Sequence, residues 1–200
     1  MNKKLSVLAL ATLAIGAGLF SYKWQLTRME EQRGQVNVPY NAYPGGDFTL
    51  DSFAGKVSLS DFKGQPVLVY FGWTYCPDVC PTSLAVMAEA MNILEGEVDV
   101  KGLLISLDPE RDTVEKLNTY APYFHPNITG LNSSVHRLLE VATRYGVYYK
   151  KAEQEDNDDY TVDHTSRIYL VDKNSNLAGV INHGASATEV AQRVRLLSER

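Results

Sequence analysis

Val67-Leu68-Val69-Tyr70-Phe71-Gly72, then Trp73-Thr74-Tyr75 and Cys76-Pro77-Asp78-Val79-Cys80-Pro81, is the stretch from which the fold is read. Its first five residues are a continuous β-branched and aromatic run, the pattern of a strand buried on both faces. Over residues 81–95, Leu84, Met87, Ala88, Met91 and Leu94 recur at steps of three and four, which predicts a helix with one buried stripe. Both cysteines of the chain therefore stand in a strand-to-helix turn. Each proline disfavours helical geometry in the residue before it, here Cys76 and Cys80, and Pro81 suits the first helical position. Cys80 is thus expected at or next to the N-cap, where the helix dipole and free N–H groups favour a thiolate. Two activatable thiols at such a turn point to redox chemistry, to a soft metal ion, or to both. A purely structural disulfide between them would constrain little chain and stabilise weakly.

The 200 residues are 44% hydrophobic, enough for one core of ordinary density. The net charge of -5 and the lack of a basic stripe argue against a nucleic-acid partner. Lys3 and Lys4 precede an uncharged run over residues 5–20, which Ser21, Tyr22 and Trp24 extend. Residues 1–24 are accordingly expected to be an N-terminal transmembrane anchor or signal segment that exports the rest of the chain. Residues 25–46, polar and then rich in glycine and proline, read as a linker, and the folded domain is expected over 47–200. An exported chain stapled by disulfides would carry several pairs, whereas here both thiols lie in one motif.

Along the domain, Phe48 and Leu50, then Val57 and Leu59, alternate with polar residues and predict an entry hairpin. Residues 102–107 form a second buried apolar run, ended by Asp108-Pro109. Asp112-Thr113-Val114-Glu115 has the spacing of a capping box, and Pro122 is expected to stop the helix it opens. Ser134 opens a third helical stripe of Val135, Leu138, Leu139, Ala142 and Tyr145, closed by Gly146, after which 147–149 read as a strand. The acidic run 153–159 reads as a solvated hairpin tip. Residues 168–171 and 177–181 flank the turn at 172–176 as an antiparallel pair, and Ser186-Ala187-Thr188-Glu189 opens the last helix. That order predicts an α/β fold, a mixed sheet flanked by helices.

Three residues separate the cysteines, against two in dithiol enzymes of the thioredoxin type. In a roughly helical turn an i, i+4 pair faces one side with Cβ atoms about 5–6 Å apart, so two sulfurs can converge on one ion. Thiolates prefer a soft ion such as Cu(I), which a third ligand would complete; zinc would want a fourth. With no second cysteine pair, a four-cysteine zinc site is excluded. Histidine is the natural third ligand, but spacing does not choose among His125, His136, His164 and His183. Asp78, an acceptor inside the loop, reads either as a group that bonds a backbone N–H and holds the sulfurs apart or as a solvated turn residue. Trp73 and Tyr75 read as a screen for the site, as partner contacts, or as core.

Three stretches together resemble the Sco/SenC family of copper proteins: Phe71-Gly72-Trp73-Thr74-Tyr75-Cys76-Pro77-Asp78-Val79-Cys80-Pro81, Ser106-Leu107-Asp108-Pro109-Glu110-Arg111-Asp112-Thr113, and Val162-Asp163-His164-Thr165. The resemblance implies a thioredoxin-like domain on an N-terminal membrane anchor, in the inner membrane with the domain in the periplasm or an equivalent compartment. It implies Cys76, Cys80 and His164 as ligands of one Cu(I) or Cu(II) ion, with Cys76 and Cys80 also able to form a redox-active disulfide. The implied role is a metallochaperone rather than an enzyme, helping to assemble the binuclear copper centre of cytochrome c oxidase. Its implied partners are the oxidase copper-binding subunit and an upstream copper donor protein. The alternative is a thiol-disulfide reductase that keeps the oxidase copper-site cysteines reduced. Two departures stand out: Tyr75, where many members carry histidine, and Asp163-His164, where thioredoxins usually place a proline.

Overall fold

The computed structural model describes residues 42–153 and 160–199, together with 18 and 20–23. The chain divides into two units, Met1–Pro39 and Tyr40–Arg200, and the second carries every element below. The expected anchor over 1–24 and linker over 25–46 lie largely outside the described residues, as does the acidic run beyond Glu153. Among the described residues no helix is long and apolar enough to cross a membrane.

In chain order the elements are β1 (Thr49–Ser52), β2 (Gly55–Ser58), β3 (Val67–Gly72), α1 (Val79–Ile93), β4 (Lys101–Ser106), α2 (Val114–Phe124), β5 (Ile128–Leu131), α3 (Val135–Arg144), β6 (Tyr149–Glu153), β7 (Tyr160–His164), β8 (Arg167–Val171), β9 (Leu177–Asn182) and α4 (Ala187–Ser198). The main sheet has the order β5-β4-β3-β8-β9. β3 runs parallel to β4 and antiparallel to β8, which makes the sheet mixed. Two hairpins stand apart from it, β1 with β2 and β6 with β7.

β3 is the central strand, and every one of its residues is buried, as its unbroken apolar run requires. On one side of it Phe71 and Tyr145 each pack edge to face on Tyr169 and lie tilted against each other, with ring centroids 5.4–5.8 Å apart. On the other, α1 buries Leu84, Met87, Ala88 and Met91, the stripe expected from the periodicity. Three helices start on side-chain caps: Thr113, Ser134 and Ser186 accept from the N–H groups of Lys116, Arg137 and Glu189.

Several boundaries differ from expectation, each for a local reason. α1 begins at Val79 with Asp78 as N-cap, so Pro81 is its third residue; that position also lacks an N–H partner within the helix, and the proline is tolerated. The cap of α2 is Thr113, not Asp112, whose carboxylate turns inward. α2 also runs through Pro122 to Phe124, since a proline in the last turn removes only one bond. The strand expected at 147–149 starts only at Tyr149, because the Val147 N–H returns to the Ala142 carbonyl to close α3. β5 has no apolar run long enough to announce it. It is an edge strand beside α2, and a Cβ at Gly130 would lie 2.6 Å from Leu117 Cβ and 2.8 Å from the Leu117 carbonyl oxygen.

Candidate metal centre

β3 ends at Gly72, and the chain turns back on a Cys76 N–H to Trp73 carbonyl bond before entering α1. This puts Cys76 half-buried in the turn and Cys80 fully buried in the first turn of the helix. The Cys80 N–H, one of the helix's orphan donors, points at Cys76 Sγ at 3.4 Å. Gly72 makes room for this arrangement: a Cβ there would lie 3.1 Å from Cys80 Sγ and 2.8 Å from Tyr70 Cε1.

His164 arrives from the far end of the domain, on the last residue of β7. Its Nε2 lies 3.2 Å from Cys80 Sγ, and its Nδ1 lies 3.2 Å from the carbonyl oxygen of Thr165. A carbonyl can only accept, so Nδ1 carries a hydrogen, and Nε2 is the ring atom that faces the sulfurs and can ligate an ion. A backbone contact of this kind is the usual second partner of a metal-bound imidazole. The Cys76, Cys80 and His164 donor atoms all lie within 4.8 Å of one another. Metal–sulfur bonds of about 2.3 Å span that distance with a small contraction, so the set fits one soft ion.

The two thiols are electrostatically unequal. Hydrogen bonding from Cys80 pulls the Cys76 thiol down to about 4, helped by His164 and by the N–H groups of Cys80 and Asp78 and opposed by burial. The neighbouring Cys76, with burial, pushes the Cys80 thiol up. The opposite directions favour a thiolate on Cys76 beside a thiol on Cys80 when no ion is bound. Binding an ion through both sulfurs displaces the remaining proton.

The Ser106–Thr113 region braces this turn, a role that sequence reasoning did not assign. Asp112 is buried and accepts from both the N–H and the hydroxyl of Thr74, two residues before Cys76. It also accepts from Ser106 Oγ at 2.8 Å, which in turn accepts from the Asp108 N–H at 3.0 Å. Arg111 is paired with the buried carboxylate of Asp108 and lies 5.0 Å from the ring centroids of both Trp73 and Tyr75. The available signal was three acidic residues packed closely after a buried strand, where solvated charges are out of place.

The other candidates fall elsewhere. Asp78 is exposed at the head of α1, and its side chain makes no capping bond. His125 accepts from the Asn127 N–H, His136 is exposed on α3, and His183 meets Ser83 Oγ at 3.1 Å; none joins the donor cluster. Trp73 is buried, while Tyr75 is half exposed. Beside Cys76 an open, mainly apolar groove of about 670 Å³ is lined by Pro81, Tyr120, Tyr123 and Phe124.

A mixed sheet flanked by helices, with two thiols and an imidazole converging at the head of the first helix, defines a thioredoxin-like domain carrying a soft-metal donor set. More narrowly, the chain belongs to the SCO1/SenC family, whose sequence profile matches residues 38–199. The mitochondrial SCO2 homolog of Bos taurus is 36% identical over 195 residues, covering 93% of this chain and 73% of its own. Among solved structures, Arabidopsis thaliana ScoI with copper bound is 37% identical, with a TM-score of 0.72 over 78% of this chain and 99% of that one. Bradyrhizobium japonicum ScoI with copper bound is 37% identical, with a TM-score of 0.70 over 77% and 99%.

Proposed function

We propose that the protein is a membrane-tethered copper chaperone that carries one copper ion on Cys76, Cys80 and His164 and delivers it to the copper-binding subunit of cytochrome c oxidase. The observation that carries this reading is the convergence of two sulfurs and an imidazole nitrogen within 4.8 Å. Copper-bound relatives with the same fold support it. Copper is cargo here, received from an upstream donor protein and passed on, so no substrate need be turned over. The half-exposed Cys76 beside an apolar groove suits such a handover, because a partner docked there meets a ligand it can exchange. Residues 1–24 would tether the domain 47–200 to the inner membrane through the linker 25–46, with the domain in the periplasm or an equivalent exported compartment.

A second reading is thiol-disulfide reduction of the oxidase's own copper-site cysteines. It is favoured by the asymmetry of the thiols: Cys76 is the accessible thiolate that would attack a partner disulfide, and Cys80 the buried thiol that would resolve the mixed disulfide. The partner leaves as a dithiol while Cys76 and Cys80 become a disulfide. Mixing the Cu(I)-loaded full chain with the reduced oxidase subunit, and following metal and disulfide content on both, separates the readings. Copper moving with all thiols retained supports the chaperone. Disulfide exchange with an oxidised subunit and no metal movement supports the reductase, and neither event would overturn both.

A further inference from the structure

His164 is carried on an arm. β6 and β7 pair with each other and, among the described residues, with no strand of the main sheet. At the base of the arm, the Thr165 N–H donates to the Tyr148 carbonyl at 2.9 Å and the Tyr148 N–H to Thr165 Oγ1 at 3.1 Å. No ladder to the main sheet fixes β7; what holds the ligand is the burial of Val162 in the core, the edge contact of the His164 ring with Tyr70 of β3 at 6.2 Å, and whatever anchors the far end of the strand.

The opposite end of β7 is Tyr160. Its hydroxyl donates to the buried carboxylate of Asp108, and its ring lies under the Arg111 guanidinium, 3.6 Å from carbon to centroid. The same Asp108–Arg111 pair reaches the cysteine turn through Trp73 and Tyr75. Residues 108–111 therefore grip the cysteine turn with one side and the histidine arm with the other. A second tie, Lys151 on β6 to Glu110 at 2.7 Å, lies in solvent, where such pairs hold weakly. The Tyr160 bond ends on a carboxylate fully out of water, where a charge-assisted bond is strong and its loss expensive.

We propose that Tyr160 is a positioning residue for the metal centre: it bolts β7 to Asp108–Arg111 and so sets the distance between His164 and the cysteine pair. The inference rests on the reading of those three residues as copper ligands. Two thiolates alone satisfy Cu(I), whereas Cu(II) depends more on nitrogen. Loosening the bolt should accordingly act on Cu(II) and spare Cu(I).

The test compares the full chain with Tyr160→Leu and Tyr160→Phe. In Tyr160→Leu, Cu(II) affinity is expected to fall at least fivefold with Cu(I) affinity within twofold, and the imidazole nitrogen splitting in the Cu(II) EPR spectrum to weaken. In the metal-free chain, amide exchange at Thr161 to His164 should quicken at least tenfold while β3 and β8 stay unchanged, a readout that needs no copper. Equal losses for both ions, or EPR and exchange like the parent's, would overturn the proposal. Should Tyr160→Leu fail to fold, Tyr160→Phe decides, since it keeps the ring and removes the hydroxyl that bonds Asp108: faster exchange in β7 supports the bolt and unchanged exchange overturns it. A parent chain that binds no copper yet shows the exchange effect would count against the chaperone reading, not against the bolt.

Discussion

His164 Nε2 stands 3.2 Å from Cys80 Sγ across 84 positions of sequence, with the ring held in that orientation by the Nδ1 contact to Thr165. Removing that imidazole leaves two sulfurs, enough for Cu(I) but a poor set for Cu(II). In His164→Ala, Cu(II) affinity should fall by roughly 10- to 100-fold, in the range for lost ligand-sphere groups, and Cu(I) affinity by much less. Competition titrations with both ions check this, and equal, small losses would remove His164 from the site.

The inequality of the thiols is visible without metal. Cys76 is half-buried with its thiol drawn down to about 4, whereas Cys80 is wholly buried and pushed up. Iodoacetamide should modify Cys76 first in the reduced, metal-free chain. Its rate should hardly fall between pH 8 and pH 6, where an ordinary thiol of pKa about 8.5 slows by roughly 75-fold. Mass spectrometry of peptides from a pH series reads both the site and the rate.

Gly72 tests how tightly the site is built. A methyl group there meets Cys80 Sγ at 3.1 Å and Tyr70 Cε1 at 2.8 Å, and neither buried side chain has space to retreat. Gly72→Ala should destabilise the domain by roughly 1–3 kcal/mol, the usual consequence of overpacking, and weaken copper binding by moving a ligand. Denaturant unfolding and Cu(I) titration of the same variant should move together.

Asp112 braces the turn while carrying a buried charge. Asn can keep its contacts, accepting from the Thr74 N–H and Ser106 while donating to a rotated Thr74 hydroxyl, but Ala leaves buried donors without partners at roughly 1–3 kcal/mol each. Asp112→Ala should therefore be much less stable than Asp112→Asn. Burial raises the Asp112 pKa, so its protonated form favours the folded state and that contribution is lost as pH rises through the folded value. Lowering the pH from 7 toward 4 should consequently shift stability in favour of the wild type relative to Asp112→Asn. Unfolding midpoints across that range give the sign directly.

Much of the fold was legible because it is local. The unbroken run of β3 and the three-four spacing of Leu84, Met87 and Met91 announce the central strand and its helix. Ser134 and Ser186 mark helix starts by cap chemistry. β5 was not legible, since four residues ending at a glycine-leucine pair are held by neighbours rather than by their own pattern. The same holds for the site. Cys76 and Cys80 declare themselves by spacing, whereas by spacing His164 is one of four histidines; the resemblance of the 162–165 stretch singles it out, and the hairpin brings it to the thiols. The bracing by Asp108, Arg111 and Asp112 is written only in three dimensions, because Asp112, read as part of a helix cap, is turned onto Thr74, while Asp108 and Arg111, read only as the end of a strand and part of a motif, reach Tyr160 and Trp73.

The most direct measurement is an equilibrium Cu(I) titration of the reduced full chain beside its Cys76→Ser and Cys80→Ser variants, with a chromogenic chelator as competitor. One ion per wild-type chain is expected, with affinity falling at least 1000-fold in either variant, because one sulfur and an imidazole hold Cu(I) far less well than two thiolates. Variants that bind Cu(I) within threefold of the wild type would contradict the copper centre assigned to Cys76, Cys80 and His164.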